Sequence, residues 1–273
     1  MTTTLAPPRA AARASGAASA LRRPGAGVLG AALVLVAWQA AALSGAVGSG
    51  LPTATATGAE LARLTVLPGF WLDIAATVGI AMAGLAASTV IGVALGILIG
   101  SFEPFRAATL ALFEFLKPIP PIVVLPLMVL VFGPTAEMAI LLVVLGCALT
   151  ITIQSTAGVH DTDPVALATA RSYGLGRIET LLRITLPSAL PFIGMAVRVS
   201  APASLIIAVV AGLLGGAPGI GLSLYQAQAA GNYTTLYALV IVLGVLGLAL
   251  QSASERIERR LLHWHPSHRE GAL

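Results

Sequence analysis

Long uncharged apolar stretches alternate along this chain with short polar interruptions. No Asp, Glu, Lys or Arg occurs in residues 24–59, 74–102, 118–136, 138–160 or 199–254. A membrane-spanning helix needs about 20 mostly apolar residues, and each of the first four gaps holds one. The last gap, 56 residues long, exceeds one helix at about 1.5 Å rise per residue. Glycine-rich residues 212–221 and Gly231-Asn232 divide it. The pattern predicts six spans, at about 27–45, 74–100, 107–132, 138–157, 193–214 and 234–254. The expected fold class is all-α, a polytopic membrane protein with about six transmembrane helices and a polar loop at about 160–190.

Several spans carry internal marks. Gly79 and Gly84 are followed by Gly92, Gly96 and Gly100 at a spacing of four. Such a small-residue stripe lets another helix approach closely, within one subunit or between two. In span 3, Pro118, Pro120, Pro121 and Pro126 each remove a backbone donor and kink a helix. Lipid-facing backbone does not stay unsatisfied, so this stretch is expected to be covered by protein or to line a cavity. Lys117, just before the break, either faces an aqueous path or snorkels to the interface. Residues 53–68 read as an outer loop or short surface helix. Residues 213–232 read as an uncharged outer loop whose glycines, 215 to 221, need flexible or left-handed backbone.

The polar interruption reads HDTDPVALATARSYGLGRIETLLRITLPSALP. Asp163 suits a helix N-cap and Pro164 the first helical position. A short helix is predicted over 165–173, stopped by Gly174-Leu175-Gly176 with Gly174 or Gly176 as a left-handed cap. A second is predicted from Arg177 to about Thr185, ended by Leu186-Pro187. Leu167, Ala170, Tyr173, Leu175, Ile178, Leu181 and Leu182 give the pair an apolar face. It can be buried under the membrane domain, on the lipid surface, or in a groove of a soluble partner.

Composition agrees with lipid as the solvent. Of 273 residues 57% are hydrophobic and 10% charged, against about 25% charged in soluble domains. The net charge of +4 would suit nucleic acid, but the basic residues flank apolar spans, as the positive-inside bias requires. Arg9, Arg13, Arg22 and Arg23 precede span 1. Arg106 follows span 2, Arg171, Arg177 and Arg183 follow span 4, and Arg256, Arg259, Arg260 and Arg269 follow span 6. With both termini cytoplasmic all of these lie inside, and only Arg63 lies outside. Arg22-Arg23 could begin a cleaved or twin-arginine signal. The apolar run exceeds the roughly 7–15 residues of such a signal, so a retained span is expected. The predicted organisation is a disordered cytoplasmic tail (1–24), a transmembrane domain (25–262) and a cytoplasmic C-terminal tail (263–273). Cys147, the single cysteine, reads as a small buried hydrophobe.

The pattern A-x-A-R-S-Y-G-x-G from Ala168 to Gly176, nine residues, then L-P-S-A-L-P from Leu186, resembles the "EAA" loop of bacterial ABC importer permeases. Lys117-Pro118-Ile119-Pro120-Pro121 through Leu125-Pro126-Leu127 to Phe132-Gly133 resembles the third span of that family's nitrate, sulfonate and taurine branch. Gly219-Ile220-Gly221 resembles the branch's Gly-Leu-Gly turn, and Glu258-Arg259-Arg260 its Glu-Arg-Arg ending. The resemblance covers about residues 50–265. It implies a permease subunit, a homodimer in the cell (inner) membrane, that forms the path for a small solute such as a sulfonate, nitrate or taurine. A separate ATP-binding cassette ATPase would power it, and an external solute-binding protein would deliver the solute. The loop would be a coupling helix seated in the ATPase, with Ala168, Ala170, Arg171, Tyr173, Gly174, Leu175, Gly176, Ile184, Leu186 and Pro187 as its docking residues. Lys117, Pro120, Pro121, Arg198 and Gly212 are the candidates for the translocation path. Two positions depart from the pattern: Ala168 stands where the loop motif has an acidic residue, and Gly212 where the branch commonly has Glu.

Enzymatic chemistry is not expected in this chain. A phosphate-binding loop of the G-x-x-x-x-G-K-[ST] type needs a lysine, and the one lysine, Lys117, is followed by proline. No nucleophile, base and orienter set stands out, and no cofactor or metal is expected; His263, His265 and His268 read as a solvated tail. An ion-coupled secondary transporter is the alternative. It would need ionisable residues in mid-span, for which Glu114, Lys117, Glu137 and Arg198 are the candidates. It would also commonly show internal repeats, and none is obvious.

Overall fold

A computed structural model describes residues 24–45, 48 and 50–262. Among these, all regular structure is helical. Helix α1 (Pro24–Ser44) is joined to a short α2 (Ala54–Thr65), then α3 (Pro68–Ser101) and α4 (Glu103–Leu116). A 3-10 turn (Pro121–Val124) leads into α5 (Leu125–Phe132), followed by α6 (Ala136–His160) and α7 (Pro164–Ser172). A continuous helix α8 (Arg177–Gly215), a short α9 (Ile220–Ala229) and α10 (Tyr233–Leu261) complete the order. Helices α1, α3, α6, α8 and α10 are long and apolar enough to cross a membrane, and the stretch Pro121–Phe132 is a shorter apolar helix. The predicted tails, including His263, His265 and His268, lie outside the described residues, except that Pro24 already begins α1.

The core forms around α3, α6 and α8. Gly84, Gly92, Gly96 and Gly100 of α3 face Val143, Ile151, Ser155 and Val159 of α6, each partner 59 positions later in the chain. A constant offset means two parallel helices in fixed register. A methyl on Gly92 would lie 2.8 Å from Ile151 Cβ, and one on Gly100 2.7 Å from Val159 Cβ. In lipid, where apolar surface gains nothing by leaving the solvent, this close small-residue packing holds helices together. The stripe thus serves packing within one subunit. Buried side chains then form three layers along the helices: Leu64, Phe70, Ile220 and Leu239 at the end near α2 and α9, Met138, Leu142, Cys147 and Ile151 in the middle, and Val159, Ala189 and Ile193 at the end near α7. Cys147 is buried as expected, its thiol donating to Ser200 O over 3.7 Å.

Three expectations need correction. First, span 3 is not one kinked helix. Its prolines leave α4 and the helix after Pro121 as separate pieces, because Pro120 adopts an extended backbone (φ −65°, ψ 133°). Second, Leu186-Pro187 does not end the second loop helix. Leu181–Thr185 forms a π-turn in which Leu186 N donates to Leu181 O, and the helix runs on into span 5. Widening the turn by one residue accommodates a proline without breaking the rod. Third, the uncharged stretch 213–232, expected to be an outer loop, contains α9. Gly216 (φ 74°) ends α8 and Gly219 (φ 122°) precedes α9, both left-handed conformations natural to glycine. Ile220 N donates to Thr77 Oγ1 of α3 over 2.9 Å, and Ser223 bonds Asp73. The surface-helix reading of 53–68 agrees with α2, capped by Thr53, whose side chain accepts from Ala56 N over 3.2 Å.

Candidate functional site

The segment joining α6 to α8 forms as its residues dictate. Asp163 Oδ1 accepts from Val165 N at 2.8 Å, and Pro164 begins α7. The helix ends in a Schellman motif: Leu175 N donates to Ala170 O and Gly174 N to Arg171 O, both over 3.0 Å, with Gly174 left-handed at φ 74°. Gly174 and not Gly176 is therefore the cap. Gly176 is extended and starts α8, with Thr180 N donating to its carbonyl over 2.9 Å.

The predicted apolar face divides in two. Ala170 is buried at 2% exposure, and Leu167, Leu175 and Leu181 are half-buried. These three leucines line a cleft of about 910 Å³ against the end of α3 and the start of α4, together with Arg171 and Arg177. The other side points away from the protein: Tyr173 is 82% exposed, and Val165 and Leu182 are exposed too; Ile178, 74% exposed, sits at the rim of the cleft. Sequence periodicity alone does not separate the sides, because the Gly174 turn rotates one helix against the other. Ala168, Arg171 and Pro187 are exposed, while Ile184 and Leu186 are half-buried where α8 enters the membrane domain.

The five path candidates do not share one cavity. Lys117 and Pro121 border a groove between α4 and α6, and Pro120 is exposed beside them. Arg198 Nε lies 3.2 Å from Glu258 Oε2 of α10. Gly212 is buried where α8 meets α9; a methyl there would lie 2.9 Å from Gly221 Cα. That close approach leaves no room for a side chain at Gly212 in this arrangement. Sequence reasoning missed Glu258 as the partner of Arg198, and Asp73 and Thr77 as anchors of α9. No local pattern marks pairs so far apart in the chain.

Residues 92–263 match the model of the binding-protein-dependent transport system inner membrane component family. The chain belongs to this family. Among relatives of this permease family member, the taurine transport system permease protein of Escherichia coli is 29% identical over 198 residues, covering 71% of each chain. The bicarbonate transport system permease protein of Synechococcus elongatus is 27% identical over 250 residues, 88% of each. The nitrate import permease protein of Synechocystis is 28% identical over 228 residues, 80% of this chain and 82% of that one. In fold, the permease resembles a chain of an inward-facing methionine ABC transporter (TM-score 0.63, 20% identity, 70% of this chain and 95% of that one). It also resembles a bacterial ABC transporter that imports the acidic polysaccharide alginate (TM-score 0.65, 17% identity, 84% and 89%). The sequence-based assignment to ABC importer permeases agrees with these relatives, and the ion-coupled alternative is not favoured.

Proposed function

We propose that this chain is the membrane-spanning permease subunit of an ATP-driven importer for a small anionic or zwitterionic solute, a sulfonate, nitrate, bicarbonate or similar. The taurine, nitrate and bicarbonate permeases among its relatives support that substrate class. The observation that carries the coupling role is the outward face of the α7–α8 turn. Tyr173, Ile178 and Leu182 are exposed large apolar side chains on a glycine-capped helix pair, where a soluble partner would cover them. A separate ATPase subunit docks there. Because α8 continues without a break into its span, a push on Ile178 moves the transmembrane rod itself. Ala168 supplies no carboxylate, so docking rests on the apolar contacts with Arg171 and Arg177 beside them.

Two copies assemble in the membrane with two ATPases, and an external binding protein delivers the solute to the α2 and α9 side. The proline break at Pro120-Pro121 borders the solute path. Both termini lie in the cytoplasm. Arg106, Arg171, Arg177, Arg183, Arg256, Arg259 and Arg260 then all face inward, and Arg63 of α2 faces out.

Co-expression with a candidate ATPase tests this reading. Ile178→Asp should abolish co-purification and ATP-driven uptake while the permease keeps its melting temperature, since the side chain is exposed. Retained association and uptake in that variant would refute the docking role.

A further inference from the structure

Helix α6 has two sides. One packs on the glycine stripe of α3 through Val143, Ile151, Ser155 and Val159. The other carries Leu149, Thr150, Ile153 and Gln154, which line a groove of about 510 Å³ beside Lys117 of α4 and Pro121. Positions 150, 153 and 154 share one helix face. From Met138 to His160 the helix has no charged residue, and Gln154 is its one side-chain amide. An amide in a span costs free energy unless it finds a partner. Nearby hydroxyls find theirs on the backbone: Thr152 donates to Ala148 O at 2.7 Å and Thr156 to Thr152 O at 2.9 Å. Thr150 and Gln154 make no side-chain bond of that kind among the described residues. Thr150 is exposed and Gln154 half-buried, so both offer their donors to the groove. Lys117, the single lysine of the chain, borders it where the proline break begins.

We propose that Thr150 and Gln154, together with Lys117, contact the oxyanion head of a small, singly charged solute on its way through. This rests on the reading of the groove as the solute path. The hydroxyl and the amide supply neutral N–H and O–H donors, and the ammonium supplies one positive charge on a flexible stem. Arg106 and Arg198 are engaged by Glu103 and Glu258, and neither lines this groove. Lys117 therefore supplies the charge, and a doubly charged anion would keep one charge unmatched. Two neutral donors and one mobile cation hold an anion loosely, as passage requires: binding must be favourable enough for entry and weak enough for release. A lipid acyl chain, the rival occupant, would leave the Gln154 amide and the Thr150 hydroxyl without partners.

Thiol labelling of the full chain in lipid vesicles tests the site. The probes are the anionic methanethiosulfonate ethylsulfonate and its cationic trimethylammonium counterpart, each rate taken relative to free cysteine. Cys147 is buried at 1% exposure, so the wild-type chain gives the background. Thr150→Cys and Gln154→Cys should react, the anionic reagent favoured about tenfold. With Thr150→Cys as reporter, Lys117→Gln should bring the two reagents to parity, and Gln154→Glu should reverse the preference. Val34→Cys, exposed on the apolar α1, should react with neither. Reaction at 150 and 154 without charge preference overturns the proposal and leaves the groove a wet path. A preference that survives Lys117→Gln or Gln154→Glu does the same. No reaction at 150 and 154, as at 34, overturns the path reading itself and the proposal with it.

Discussion

Arg198 of α8 and Glu258 of α10 form an ion pair with Nε and Oε2 3.2 Å apart, the carboxylate 8% exposed and the guanidinium 40%. Gly194, one turn before Arg198, makes room for this: a methyl there would meet Leu262 Cδ1 at 3.0 Å and Glu258 Cγ at 3.5 Å. The pair therefore joins α8 to the end of α10. Removing Arg198 leaves the Glu258 carboxylate with little water to solvate it, while removing Glu258 leaves a guanidinium still partly in water. Arg198→Gln and Glu258→Gln should each lower the melting temperature in detergent. The double variant should lose less than the sum, with a coupling of about 1–2 kcal/mol, the exposed arginine holding it below a fully buried pair. Additive losses would show that the contact contributes nothing.

The glycine stripe of α3 separates steric from conformational effects. Gly96→Ala would drive a methyl into Ser155 Cβ with the Thr152 carbonyl 2.9 Å away, and should cost about 1–3 kcal/mol. Gly79→Ala, on the same helix with nothing within 4 Å, should be neutral or slightly stabilising through helix propensity. Thermal unfolding of the two variants side by side decides it, and equal stabilities would refute the close-packed register.

Much of this architecture was legible from residue order. Charge-free runs located the spans, Asp163-Pro164 the start of α7, and Gly174 its end, because each acts through the local backbone. What stayed hidden depends on contacts across the chain. Arg198 reads alone until Glu258, 60 positions on, is packed against it. Gly212 reads as a missing carboxylate until Gly221 is seen against it. Pro187 reads as a helix stop because proline usually is one, and only the preceding π-turn reveals the exception. The division of this apolar face into Leu167, Leu175 and Leu181 against Tyr173 and Leu182, with Ile178 at the rim of the cleft, needs the angle set at Gly174.

Glu60 of α2 fastens this short helix to α10. It accepts from Arg63 at 2.7 Å through both oxygens and from Thr235 Oγ1 at 2.6 Å. The Arg63 hydrogen bonds, aided by Thr235 and the arginine's charge against partial desolvation, hold its carboxyl at about 2 instead of 4.5. A carboxylate with a lowered folded value stabilises the docked state above its unfolded value and loses that contribution as pH falls. Hydrogen exchange in α2, taken relative to the intrinsic rate at each pH, should therefore rise between about pH 4.5 and 2. In Glu60→Gln it should already be raised at neutral pH and flat across this window. A wild-type profile as flat as the variant's would show that the carboxylate does not hold α2.

The π-turn at Leu181–Thr185 sets the angle between the α7–α8 turn and the rest of α8. A π-turn is one residue inserted into an α-helix, so deleting Ile184 together with Pro187→Ala should restore a regular helix. The segment Arg177–Thr180 would then rotate by about 100° relative to the span below it, carrying Ile178 off the exposed side. The deletion lies where α8 leaves the core, so membrane insertion and the α3–α6 packing should survive, and the melting temperature should fall little. Association with the ATPase and ATP-driven uptake should be lost. Pro187→Ala alone, which keeps the residue count, should leave both near wild type. If the deletion variant still couples ATP to uptake, the orientation fixed by the π-turn is not what the docking surface depends on, and the continuous rod of α8 is not the element that transmits the push.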